Sequence, residues 1–149
     1  MTEKALCVFP ERLRQPVLCA VKHICEVYEI RLIADHSVYI FGYNGIRFVC
    51  SDGGITSSAT GTLLQPTSAE LEEIINRATG FSGFSHQKEL QNGFVTYGEG
   101  FRIGICTDGM GDSFWSGRIA SLSLRIPFNK EDIICDIPDR ILFDFRNGL

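Results

Sequence analysis

The sequence predicts a single α+β domain built on a largely antiparallel sheet with two or three helices. Three observations predict it. Apolar residues recur at helical spacing in two separate stretches, near residues 13–24 and 71–78. Short alternating runs, rich in Val, Ile, Phe and Tyr, fill the segments before and after the second stretch. "GYNG" between two of these runs is a strong hairpin signal, as antiparallel strands use.

The elements follow in order. Residues 10–28, "PERLRQPVLCAVKHICEVY", read as helix, with Leu13, Val17, Val21 and Ile24 forming one apolar stripe. Pro16 leaves two alternatives open: a kink there, or a main helix that begins there with Pro16 in its first turn. "EIRLI" (29–33) alternates as a strand. "HSVYIF" (36–41) and "IRFVC" (46–50) flank "GYNG", whose Asn-Gly tolerates positive φ and so signals a hairpin. Residues 51–62 read as a polar turn region. "TSAELEEIINRAT" (67–79) is the clearest helix. Thr67 caps it, Glu70 completes a capping box, and Leu71, Ile74, Ile75 and Ala78 face the core. "SHQKELQNG" (85–93) is a short helix that Gly93 ends through a left-handed cap.

Then come "FVTY" (94–97), a turn holding Gly98 and Gly100, "FRIGIC" (101–106) with Gly104 inside it, and a loop from Thr107 to Ser116. Gly93, Gly98, Gly100 and Gly104 are all read as turn-forming positions. In "RIASLSLRI" (118–126), Ile119, Leu122, Leu124 and Ile126 alternate imperfectly, which predicts a bulge or a partly buried strand. The tail, "DIICDIPDRILFDFRNGL", is apolar without a clean period. No repeat, low-complexity segment or linker interrupts the chain.

With 149 residues the chain is long enough for one domain with a hydrophobic core. Fourteen basic and eighteen acidic residues give a net charge of -4, which argues against sequence-independent nucleic-acid binding. No apolar run has the length of a membrane span, and the N-terminus lacks the apolar core of a secretory signal. The expected location is cytoplasmic. The six cysteines (Cys7, Cys19, Cys25, Cys50, Cys106 and Cys135) contain no C-x-x-C pair, so free thiols are expected.

Candidate chemistry is sparse. Cys19, His23 and Cys25 could begin a zinc site, but a second ligand pair is missing, and no metal is expected. Cys106 has no histidine after it to activate it. Asp108 and Asp112 sit in "TDGMGDS" without the remaining ligands of a calcium loop. "GEGFRIG" is one residue off the dinucleotide fingerprint, but a strand rather than a helix follows it. No lysine lies between Lys88 and Lys130 to serve a kinase-type glycine loop, and G-x-x-x-x-G-K-[ST] is absent. No catalytic residue and no cofactor are therefore expected in this chain. Arg31, Arg102 and Arg125 stand within mostly apolar strand-like segments. Each is either the solvated outer face of a half-buried strand or a guanidinium aimed at an anion, whose oxygens suit its fork.

Taken together, "EIRL" (29–32), "FSGFSHQKELQNGFVTYGEGFRIGI" (81–105) and "SLSLRIP" (121–127) resemble the stage III sporulation protein AA family of endospore-forming bacteria. The resemblance runs from about Phe9 to Leu149. Gly93, Thr96, Gly100, Arg102 and Gly104 fall at the family's spacing. Phe84 and Ser85 replace a Tyr-Ala, Glu99 a Gly, Phe101 a His, and Ile33 a second Arg. The resemblance implies that residues 1–149 are an N-terminal regulatory and oligomer-interface domain, with a P-loop ATPase domain downstream. It implies ATP and magnesium for the parent protein, a homo-oligomeric ring, other sporulation-channel proteins as partners, and at most peripheral membrane contact at the channel between mother cell and forespore. By the same analogy Arg102, Arg125 and Arg31 become nucleotide-sensing or interface arginines. The rival expectation is a nucleic-acid-binding accessory module using Arg102, Arg118, Arg125, Phe101 and Trp115.

Overall fold

Strands with apolar residues at every second position can bury one face and leave the other to water, and the central strands here do so. The structure, a computed structural model, describes residues 2–59, 61–108 and 118–127. Strands β1 (Val27–Ile33), β2 (Ser37–Gly42), β3 (Gly45–Val49) and the short β4 (Ile55–Thr56) form one meander. Helices α3 (Ser68–Ala78) and α4 (Gln87–Gln91) follow, then a second meander of β5 (Phe94–Tyr97), β6 (Phe101–Thr107) and β7 (Ile119–Arg125). Antiparallel pairing of β1 with β7 joins the two into one seven-stranded sheet, ordered β4-β3-β2-β1-β7-β6-β5. Among the described residues every strand pair is antiparallel. The fold is thus α+β, with more helical pieces than the sequence reading names.

Helices α2 (Glu11–Val21) and α3 supply the core from one side. Leu13, Val17, Leu71 and Ile74 are fully buried with Ile30, Leu32, Ile40 and Val95 of the sheet. The first nine residues, unassigned from sequence, form a short helix α1 (Thr2–Ala5) and a 3-10 turn (Leu6–Val8). Ala5, Leu6 and Phe9 are fully buried. Arg77 of α3 donates to the Phe9 carbonyl at 3.1 Å, which ties this entry segment down.

Several local expectations change. Helix α2 neither starts at Pro16 nor extends to Tyr28. It runs from Glu11 through Pro16 and stops at Val21, and Glu26 takes φ 55° before β1 begins. At the β2–β3 hairpin Gly45, not Asn44, adopts positive φ (102°). Gly98 and Gly100 turn the chain between β5 and β6 with φ 58° and 101°, and Gly93 ends α4 with φ 82°. Gly104 is not a turn residue: it lies mid-strand in β6, paired with Phe94 and Ser123. The expected irregularity in the last strand is present. Cys106 pairs with Ser121 but Thr107 with Ile119, so Ala120 is extra. That one residue explains why Ile119 and Leu122, three apart, both face the core. Asp112, Trp115, Cys135, most of the predicted 107–116 loop and the tail lie outside the described residues.

The predicted capping box forms. Thr67 Oγ1 accepts from the Glu70 amide at 3.1 Å, and Glu70 Oε1 accepts from the Thr67 amide at 2.9 Å. Arg12 reaches across from α2 to both Glu70 oxygens, at 2.9 and 2.5 Å. Burial alone would raise the Glu70 pKa, but the Arg12 and Thr67 hydrogen bonds outweigh it and lower the group below its usual 4.5. A carboxylate with a depressed folded-state pKa stabilises fully above its unfolded pKa and loses that contribution as pH falls through the folded value. Glu70→Gln should therefore lower the melting temperature most near neutral pH. The gap from wild type should close as pH falls below 4.5, as read by paired thermal melts between neutral and acid pH. A gap that widens on acidification would contradict this linkage.

Candidate functional site

The helices cover one face of the sheet, and the opposite face carries the arginines. Strand register puts directly opposed residues on the same face. One row therefore runs across six strands as Thr96, Arg102, Arg125, Glu29, Phe41 and Ile46. The next row reads Phe94, Gly104, Ser123, Arg31, Tyr39 and Phe48. All three arginines expected from sequence thus share one face. Their neighbours in sequence, Phe101, Ile103, Leu124, Ile30 and Leu32, point the other way and are buried. Between Arg31 and Phe94 only Gly104 and Ser123 intervene, so the floor there is low.

The three arginines are not equivalent. Arg31 is held: its Nε and Nη2 donate to Glu29 Oε1 at 3.0 and 2.7 Å, and Nη1 reaches the Tyr39 hydroxyl at 3.4 Å. Its guanidinium carbon lies 5.1 Å from the Phe41 ring centre and 5.7 Å from that of Tyr39. The Ser123 hydroxyl also donates to Glu29 Oε1. Burial pushes the Glu29 pKa up, but the Ser123 and Arg31 hydrogen bonds and the field of Arg125 prevail and hold it below the usual range.

Arg102 and Arg125 are exposed and directly opposite each other on β6 and β7. Arg102 lies over Phe94, its guanidinium carbon 3.9 Å from the ring centre. Neither guanidinium makes an ion pair with a described residue. Like charges directly opposed across strands destabilise a sheet by a few tenths of a kcal/mol, an effect that Glu29 opposite Arg125 and the Glu89 carboxylate near Arg102 offset in part. At the row's end, Glu89 Oε2 and Oε1 accept from the Thr96 amide and hydroxyl, both at 2.9 Å. The Thr96 amide bond leads in lowering the Glu89 pKa, with the Arg102 charge among the smaller causes.

Of the residues expected for nucleic-acid contact, Arg102 and Arg125 lie together on the open face and the others do not join them there among the described residues. Phe101 is buried on the helix side, Arg118 pairs with Asp35 at 2.6 Å, and Trp115 lies outside the described residues. Glu29, Tyr39, Phe41 and Phe94 belong to the open face and were not singled out from sequence. Their signal was the shared period of two, which becomes legible only once the strand partners are known. Among the described residues no group of three or more His, Cys, Asp or Glu side chains converges as a metal site would require, and no helix is long and apolar enough to cross a membrane.

No protein-family model and no curated protein matches the chain. Among solved structures, the chain is similar to the X-ray structure of the Legionella pneumophila ATPase DotB, at 18% identity and a TM-score of 0.39. That similarity covers 90% of this chain and 35% of the DotB chain, so this chain spans about a third of that protein's length.

Proposed function

We propose that this chain is the N-terminal regulatory and subunit-contact domain of a P-loop ATPase, of the kind the sporulation resemblance implies. In this reading Arg102 and Arg125 face the phosphates of ATP, with its magnesium, held by a catalytic core in a homo-oligomeric ring at the mother cell–forespore channel. The chain itself supplies no phosphate-cradling loop and does not turn nucleotide over. The observation that carries the reading is the opposed Arg102–Arg125 pair, exposed and in no ion pair among the described residues. A guanidinium stacked on a ring keeps its N–H edge free while the ring limits its rotation, which prepares it for an oxygen anion. Arg31 plays a different part: ion-paired to Glu29, it has its charge largely neutralised and does not offer its fork.

The test on this chain is a titration with inorganic tripolyphosphate, followed by NMR of the arginine side chains. The Arg102 and Arg125 Nε–H signals should move together, with an affinity on the order of millimolar that falls with added salt. Arg31 should move less. Arg102→Ala should abolish the response at Arg125. Shifts confined to Arg118 or scattered over surface lysines would refute the site. Tighter binding of single-stranded DNA than of tripolyphosphate would favour the nucleic-acid reading instead.

A further inference from the structure

The group that closes Arg31 is itself an anion. Three donors converge on one oxygen, Oε1 of Glu29: Arg31 Nε at 3.0 Å, Arg31 Nη2 at 2.7 Å, and the Ser123 hydroxyl. One edge of a guanidinium and a hydroxyl around a single anionic oxygen is also how a protein grips a phosphate oxygen. Glu29 therefore sits as an internal occupant in a place where Arg31 and Ser123 could hold another anion. Among the described residues no other hydrogen bond engages that edge of Arg31. Its Nη1 takes the Tyr39 hydroxyl at 3.4 Å, and the Phe41 ring centre lies 5.1 Å from its guanidinium carbon.

The clasp borders the arginine pair. Ser123 pairs with Gly104 on one side and with Arg31 on the other. Arg125 stands two residues from Ser123 along β7, and Arg102 two residues from Gly104 along β6, so all share the open face. Adjacent strands lie about 4.8 Å apart and same-face residues about 7 Å apart along a strand, which puts the Gly104–Ser123 floor within reach of all three arginines. That floor is open. A Cβ added at Gly104 would meet nothing beyond its chain neighbours nearer than Ser123, at 3.9 Å. The Arg31 side chain is 40% exposed, and an ion pair so open to water is readily exchanged for another.

We propose that Glu29 is an internal competitor anion, which keeps Arg31 and Ser123 closed as a second phosphoryl subsite beside the one at Arg102 and Arg125. This rests on the phosphate reading of the arginine face and adds what sets its selectivity. With Glu29 in place, the face offers two guanidiniums and takes one phosphoryl group. A chain of phosphoryl groups, such as a nucleoside triphosphate carries, places a second group over Ser123 by displacing Glu29 from Arg31. Glu29 is thus a specificity-determining residue that holds affinity down until a polyphosphate replaces it.

The experiment is the tripolyphosphate titration, at fixed ionic strength, of the 149-residue chain and of Glu29→Gln, which keeps the shape and removes the charge. Glu29→Gln should bind at least ~10-fold more tightly, and its Arg31 Nε–H signal should now move with those of Arg102 and Arg125. Removing a carboxylate near arginines raises affinity through its field alone, so two further variants separate the fork from the field. Arg31→Lys added to Glu29→Gln alters no charge but loses the fork, and Ser123→Ala added to it loses only the hydroxyl. Each should forfeit at least ~3-fold of the gain. Glu29→Asp keeps the charge on a side chain one methylene shorter. It should also free the Arg31 signal to respond, which keeps the test open if Glu29→Gln folds poorly in thermal melts. An Arg31 signal that stays still in both Glu29 variants overturns the proposal, and so does a gain that survives intact in both double variants. The two failures are distinguishable. Shifts at Arg102 and Arg125 with a still Arg31 sink only the second subsite, whereas no shift at Arg102 and Arg125 in any chain sinks the phosphate reading and the subsite with it.

Discussion

In a full-length P-loop ATPase carrying this domain, Arg102→Ala should cut the hydrolysis rate of the assembled ring by about 10²-fold or more, if the arginine stabilises charge on the transferred phosphoryl group. The domain itself should melt within a degree or two of wild type. The change forfeits stacking on Phe94, about 0.5–1 kcal/mol at an exposed site, and relieves a smaller repulsion with Arg125, a few tenths of a kcal/mol. Arg102→Lys should recover only part of the rate, because lysine restores the charge without the two-pronged fork. Turnover measured on rings of verified assembly, beside melts of the isolated domain, separates the two effects. A wild-type rate in an assembled Arg102→Ala ring would reduce Arg102 to a surface residue.

One position earlier the expectation inverts. Phe101→Ala should destabilise the domain by about 3–5 kcal/mol, a large share of the ~5–15 kcal/mol typical of a whole domain. Phe101 is 2% exposed, and its ring centre lies 5.4 Å from that of Tyr97. An alanine there leaves a cavity among Tyr97, Gly98 and the buried ends of β5 and β6, and the fixed β5–β6 turn limits collapse into it. Urea unfolding followed by far-UV circular dichroism measures the loss. A change below about 1 kcal/mol would mean that the ring is not packed as described. Together the two substitutions test the period of two in "FRIGI" with opposite readouts on adjacent residues.

How much of this was legible in the sequence depended on how local each cause is. The capping box at Thr67 and Glu70, the left-handed end of α4 at Gly93 and the bulge near Ala120 were readable, because each is set by residues a few positions apart. The end of α2 was not. Ile24 and Val27 continue an apolar pattern, but the chain needs the turn at Glu26 to enter β1 in register. The N-terminal segment gave no signal because its four-residue helix is held by burial of Leu6 and Phe9 against distant elements. For the candidate site, the residue types of Arg31, Arg102 and Arg125 could be picked out, but their common face could not. That face depends on β1 pairing with β7, which no local pattern announces. Glu29 escaped notice for the same reason. Its partners Arg31 and Ser123 come from two strands, the second of them 94 positions away.

That β1–β7 pairing also governs the order in which the molecule can be made. A ribosome delivers β1 to β4 first, then α3 and α4, and β7 last among the described strands. Until β7 emerges, β1 pairs on one side only, with β2, and its other edge offers unpaired amide and carbonyl groups to any neighbouring chain. On that edge Ile30 and Leu32 still lack their apolar cross-strand neighbours Leu124 and Leu122. Pairing of distant strands is slow because chain entropy must be lost before the contact is gained. The nascent chain is therefore most prone to aggregate in the interval between completion of its first meander and arrival of residue 125, and relief comes at a single late step.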